Sequence, residues 1–113
     1  MTIKAGNVGI GTSTPTSKLH VAGGLNLNVT SVVDTYQILV TDYTVVCNKA
    51  TAFTVTLPVA VVGATFNIKN IGAGAVTIEG SGSETIDSAL NQIIYQWESL
   101  TLTCNATGSW III

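Results

Sequence analysis

The chain has 113 residues, enough for one domain or a small domain with an appendage, and a formal net charge of only −2. Charged residues make up 9% of it, against about 25% in ordinary globular chains, and arginine is absent. That composition excludes the clustered basic footprint of a nucleic-acid binder and electrostatic attachment to anionic membranes, while a hydrophobic content of 47% excludes intrinsic disorder.

β-Branched residues dominate, with 17 Thr, 13 Val and 12 Ile. Their stiff side chains suit a pleated surface, and no stretch sustains a period of 3.6, so the expected fold is all-β. The longest apolar runs, Val59-Ala60-Val61-Val62 and Trp110-Ile111-Ile112-Ile113, are far shorter than the ~20 residues of a membrane-spanning helix. No membrane insertion is expected, and residues 1–6 lack the apolar core of a signal peptide.

Residues 1–33 are expected to form an extended N-terminal segment followed by a linker strand. Asn7-Val8-Gly9-Ile10-Gly11 alternates apolar residues with glycine or polar ones. A Thr12-Ser13-Thr14-Pro15 turn follows, then a second short alternation in Leu19-His20-Val21. Val8, Ile10, Leu19 and Val21 are too few to make a core, and glycine weakens an isolated strand. Such a segment makes sense if identical copies supply the missing surface. These four residues are therefore the first candidates for a subunit interface. Residues 25–33 alternate more weakly.

From Asp34 the pattern sharpens into a domain over residues 34–113, with strands expected near 35–40, 43–47, 53–57, 65–69, 75–79, 91–96, 98–104 and 109–113. Turn residues separate them every 8–12 positions or so, which points to a small antiparallel sandwich or barrel. Gly72-Ala73-Gly74 reads as a hairpin, and no clean internal repeat is visible. The period of two places Phe53, Val55, Leu57, Phe66, Ile68, Val76, Ile78, Leu100, Leu102 and Cys104 inward, with Thr, Asn and Ser facing out. The last four residues are apolar on both faces, so Trp110 and Ile112 join the interface candidates. A domain of about 80 residues is marginally stable alone and gains from oligomerisation.

The order and spacing over residues 7–23, Asn7-Val8-Gly9-Ile10-Gly11-Thr12 through Pro15 to Lys18-Leu19-His20-Val21-Ala22-Gly23, resembles a segment that recurs in bacteriophage tail fibres and related trimeric fibre proteins. A looser likeness to β-rich phage fibre domains covers residues 42–113, carried by Asp42-Tyr43-Thr44-Val45, Val55-Thr56-Leu57-Pro58, Glu84-Thr85-Ile86-Asp87, Glu98-Ser99-Leu100-Thr101-Leu102 and Trp110. The resemblance implies a homotrimeric structural module of a tail or head fibre, made in the host cytoplasm and carried on the virion. Its partners would be two further copies, other fibre or tail proteins, and a host surface glycan or protein receptor.

Few residues suggest chemistry. His20, the only histidine, has no second histidine or local carboxylate, and reads as a stalk residue. Cys47 and Cys104 both face inward. Burial as free thiols and a disulfide both fit their parity, since parity does not fix their separation. Glu79, Glu84 and Asp87 flank Gly80-Ser81-Gly82-Ser83, in a spacing that fits no calcium-loop pattern and reads as a solvated turn. No nucleophile–base pair, nucleotide fingerprint or metal set stands out, so no enzyme activity, cofactor or metal is expected. A polysaccharide-degrading carboxylate pair is a distant alternative. Tyr95 and Trp97 are the aromatics best suited to stack on a sugar, which makes a lectin-like glycan- or receptor-binding module the nearer alternative.

Overall fold

The computed structural model describes residues 1–113 and contains thirteen strands and no helix. The first three strands, β1 (Thr2–Lys4), β2 (Asn7–Ile10) and β3 (Leu19–Val21), form a sheet of their own. β1 and β2 are a hairpin whose two turn residues, Ala5 and Gly6, both have positive φ. That is the turn geometry that matches strand twist. β3 lies parallel to β2, with Val8 opposite Leu19 and Ile10 opposite Val21.

The remaining strands are β4 (Val29–Val32), β5 (Tyr36–Gln37), β6 (Thr44–Cys47), β7 (Phe53–Thr56), β8 (Thr65–Asn70), β9 (Val76–Glu79), β10 (Thr85–Ile86), β11 (Asn91–Ile94), β12 (Ser99–Ala106) and β13 (Ser109–Ile112). They form two sheets. One has six strands in the order β10-β13-β12-β8-β6-β4, and the other has four in the order β11-β9-β7-β5.

The expectation of antiparallel pairing needs correction. From β4 to β9 the chain alternates between the two sheets. β4, β6 and β8 pair in parallel in one sheet, and β5, β7 and β9 in parallel in the other. The chain therefore winds through three stacked coils. Between the second and third coils both sheets advance by the same 23 positions, from Thr44 to Asn67 and from Phe53 to Val76. Only then does the chain reverse. β11 runs antiparallel on β9 and β12 antiparallel on β8, covering one end of the stack. β10 lies parallel to β13 at the sheet's far edge.

Gly72-Ala73-Gly74 is correspondingly a corner of the third coil, not a hairpin. It lies directly on the second coil's corner: the Gly74 N–H donates to the Lys49 carbonyl at 2.9 Å. A Cβ at Gly74 would sit 2.1 Å from the Thr51 carbonyl oxygen, so no larger residue fits there.

Side-chain parity is as the sequence implies. The core joins Val45, Cys47, Phe66, Ile68, Leu102, Cys104 and Trp110 of the larger sheet to Phe53, Val55, Leu57, Val76, Ile78 and Ile94 from the smaller sheet's side. Phe66 and Trp110 meet with ring centroids 5.8 Å apart. On the larger sheet's outer face, the Thr101 hydroxyl donates to Asn67 Oδ1 at 2.8 Å and the Thr65 and Thr103 hydroxyls lie 2.9 Å apart. Threonines there satisfy one another while keeping strand-favouring shape.

Two buried polar groups fasten the coils. The Asp42 carboxylate accepts from the Thr30 hydroxyl at 2.6 Å, the Tyr36 hydroxyl at 2.7 Å and the Leu39 N–H at 2.9 Å. Asn70 is fully buried. Its Nδ2 donates to the Gly74 carbonyl at 2.9 Å and the Ile94 carbonyl at 3.2 Å, and its Oδ1 accepts from the Gly72 N–H at 3.0 Å.

Candidate functional site

The N-terminal sheet has one covered face and one uncovered face. Gly9 and His20 are register partners on the same side. The loop between β2 and β3 folds over that side. A Cβ at Gly9 would lie 2.5 Å from the Thr12 carbonyl oxygen and 3.5 Å from the Pro15 Cβ, so the close fold-back requires glycine. The loop is tied down by side chains. The Thr14 N–H donates to the Thr12 hydroxyl at 3.1 Å, the Ser17 hydroxyl to the Leu19 carbonyl at 2.8 Å, and the Thr16 N–H to His20 Nδ1 at 3.3 Å. His20 thus organises the loop and has no carboxylate partner.

Strand alternation puts Val8, Ile10, Leu19 and Val21 on the opposite side. Ile3, the register partner of Val8, joins them. Ile3, Ile10 and Leu19 are exposed, Val8 and Val21 half-buried, and none belongs to the core cluster. The structure therefore brings the four candidates onto one apolar face and adds Ile3, whose signal was its own place in the Thr2-Ile3-Lys4 alternation.

Trp110 and Ile112 lie elsewhere. Trp110 has no exposed surface; it is an interior residue of the protomer and leaves nothing for a partner to touch. Its indole N–H finds no hydrogen-bond acceptor. Ile112 packs against the same core. The reason is topological: β13 sits between β12 and β10, which gives both of its edges partners within the chain.

Tyr95 and Trp97 share the turn between β11 and β12, which caps the stack of coil corners. Both are exposed, by 61% and 65%. The turn is tied down from several sides. The Trp97 N–H donates to the Asn70 carbonyl at 2.7 Å, the Tyr95 N–H to Glu98 Oε2 at 2.7 Å, and Gln96 Nε2 to the Ile71 carbonyl at 3.2 Å. Lys69 Nζ reaches the Trp97 carbonyl. Trp97 itself is held at φ 71°, a left-handed conformation that bulky residues rarely adopt.

The carboxylates do not converge. Glu79 accepts from the Thr56 hydroxyl, Glu84 from the Ala60 N–H, and Asp87 from the Ile112 N–H. Each fastens a neighbouring segment. Cys47 and Cys104 are buried free thiols, and burial pushes Cys47 up to about 11. An open groove of about 500 Å³ runs between the loops after β5, β7 and β9, lined by Ile38, Leu39, Val40, Pro58, Val59 and Ser81 among others. It holds no titratable side chain. No protein-family model and no curated protein matches the chain.

Proposed function

We propose that this chain is a structural module of a phage fibre, assembled as a parallel homotrimer on the virion. The observation that carries the reading is the uncovered face of the N-terminal sheet. Its own loop covers the glycine–histidine side and leaves Ile3, Val8, Ile10, Leu19 and Val21 for other copies. The rest of the surface agrees. Eighteen large apolar side chains are exposed against sixteen residues in the core, an imbalance that suits a protomer with further surface to bury. In this reading residues 1–28 are the stalk segment and residues 29–113 form a sandwich-like fibre domain whose coils stack along the shaft, because β4, expected as the linker strand of the N-terminal segment, pairs with β6 and buries Val32 in the core. The module is made in the host cytoplasm, joins other fibre or tail proteins, and displays or constitutes a host-attachment tip. It needs no cofactor or metal and performs no catalysis.

Small-angle scattering of the intact chain tests this. A parallel trimer gives the forward scattering of three chains with a longest dimension near the protomer's own 50 Å. Scattering from a single chain at all concentrations overturns the reading.

A second reading, a lectin-like glycan or receptor contact, is favoured by Trp97, because the turn holds a bulky residue in a costly conformation with its ring in solvent. It is compatible with the first. Binding to a polysaccharide array that disappears in Trp97→Ala supports it, and an array with no signal for the trimer removes it. A polysaccharide-degrading activity is the distant third reading, and a depolymerisation assay decides it.

A further inference from the structure

The loop between β2 and β3 lies close over the glycine side of the N-terminal sheet, yet few bonds hold it there. Gly9 is buried beneath it, against the Thr12 carbonyl and Pro15. Within residues 12–16 the Thr14 N–H and the Thr12 and Thr14 hydroxyls bond only to one another. The one hydrogen-bonding group that reaches these residues from outside the loop is the His20 ring. Its Nδ1 lies 3.3 Å from the Thr16 nitrogen and 3.4 Å from the Thr16 hydroxyl.

That contact fixes the proton on the ring. A backbone N–H can only donate, so Nδ1 is the acceptor and the neutral imidazole carries its hydrogen on Nε2. A second proton can go only to Nδ1. It takes up the lone pair, makes both ring nitrogens donors and sets two N–H groups against each other. The Thr16 hydroxyl can turn to accept from the new N–H, but the Thr16 amide has no acceptor left.

No anion offsets the added charge. Residues 1–33 contain no Asp or Glu, and each of the six carboxylates bonds within residues 29–113. The charged side chains on His20's side of the sheet are both cations. Strand alternation puts Lys4 and Lys18 there, with Lys18 Nζ turned to the β1–β2 corner at Gly6.

We propose that His20 is an acid-sensitive latch on this loop. Neutral, the ring holds the Thr16 amide and keeps residues 12–16 closed over Gly9. Protonated, it releases the amide and the loop lifts from the sheet. The strands stay paired, because their bonds involve no titratable group: the Val8 N–H donates to the Lys18 carbonyl at 2.8 Å and the Ala22 N–H to the Ile10 carbonyl at 2.9 Å. The latch is on the side opposite Ile3, Val8, Ile10, Leu19 and Val21, so it does not depend on what covers that face.

Amide hydrogen exchange of the full chain, read residue by residue by NMR from about pH 8 to about pH 5, the range in which histidines change charge, tests this. Corrected for the intrinsic rate, protection of the Thr16 amide is expected to fall by at least about fivefold, the worth of one net hydrogen bond. The fall should follow the same one-proton curve as the His20 ring carbons, while Val8 and Ala22 keep their protection. His20→Ala should leave Thr16 unprotected throughout the range. Thr16 protection that is constant in the wild type, that falls together with Val8 and Ala22, or that survives in His20→Ala overturns the latch.

Discussion

Replacing Asn70 by alanine should be among the most damaging polar substitutions in this chain. Asn70 is fully buried where the third coil's corner meets the capping strands. Its three hydrogen bonds reach Gly72, Gly74 and Ile94. Alanine leaves the Gly72 N–H without its acceptor and withdraws a donor from two carbonyls, all in a site closed to water. Each buried group left unpaired costs about 1–3 kcal/mol, so a total loss of about 3–4 kcal/mol is expected after partial relaxation. That is a large part of the ~5–15 kcal/mol by which a domain is stable. Because about 1 kcal/mol moves the melting temperature of a small domain by 4–8 °C, the midpoint should fall by more than about 10 °C. Thermal melts followed by circular dichroism measure it. Asn67→Ala is the comparison: Asn67 also bonds across strands, but on the outer face where water can replace its partners, and it should cost below about 1 kcal/mol. Equal midpoints for the two variants would refute the claim that Asn70 fastens the coil corner to its cap.

Gly74→Ala should prevent folding, because its methyl would sit 2.1 Å from a backbone oxygen that the stacked corner holds in place; a folded variant with wild-type circular dichroism would contradict the stacking. Stability against pH should show a wide plateau. At the acid end, burial alone would raise Asp42, but its hydrogen bonds from Thr30, Leu39 and Tyr36 outweigh that and hold the carboxyl below its usual range. Its contribution is therefore complete above the unfolded value of about 3.9 and is lost as pH falls through the lower folded value. At the alkaline end, the bond to Asp42, then burial, raises Tyr36. The folded state resists ionising it and the buried Cys47 thiol, so stability declines as pH climbs past the unfolded thiol value of about 8.5 and further past about 10. Thr30→Val removes one of those bonds, brings the folded value back toward the unfolded one and should flatten the acid limb of a urea-midpoint profile; a limb of unchanged depth would remove Asp42 from the explanation. Trp97→Gly relieves the left-handed strain and should raise stability by up to about 1 kcal/mol while removing any glycan signal; a loss of stability would mean the indole supports the fold.

Much of this architecture was legible along each strand, and little of it between strands. The period of two assigned Phe53, Val55, Leu57, Val76 and Ile78 to the core because burial acts on each side chain separately. Pairing direction leaves no such mark. A corner such as Gly72-Ala73-Gly74 has the glycines of a hairpin, yet they serve close stacking of one coil on another. The 23-residue advance between coils aligns Ala50 with Ala73, Ala52 with Ala75 and Thr54 with Thr77, but these matches are small, common residues and do not stand out as a repeat. Trp110 looked like an interface residue because both faces of its segment are apolar. Those residues also suit a strand flanked by β12 and β10 inside one chain. Asn70 and Asp42 gave no signal, since an asparagine or aspartate near a turn is usually solvated and only the folded corner encloses it. That Val8, Ile10, Leu19 and Val21 lie outside the core was legible because their shortage of partners within the chain is a property of the segment itself.

The central claim is that the chain is complete only as a trimer, and native mass spectrometry of the undecorated protein tests it most directly. The account predicts one dominant species of about 35 kDa, three times the 11.7 kDa chain, persisting on dilution through the micromolar range. A dominant species of 11.7 kDa under the same conditions would contradict it.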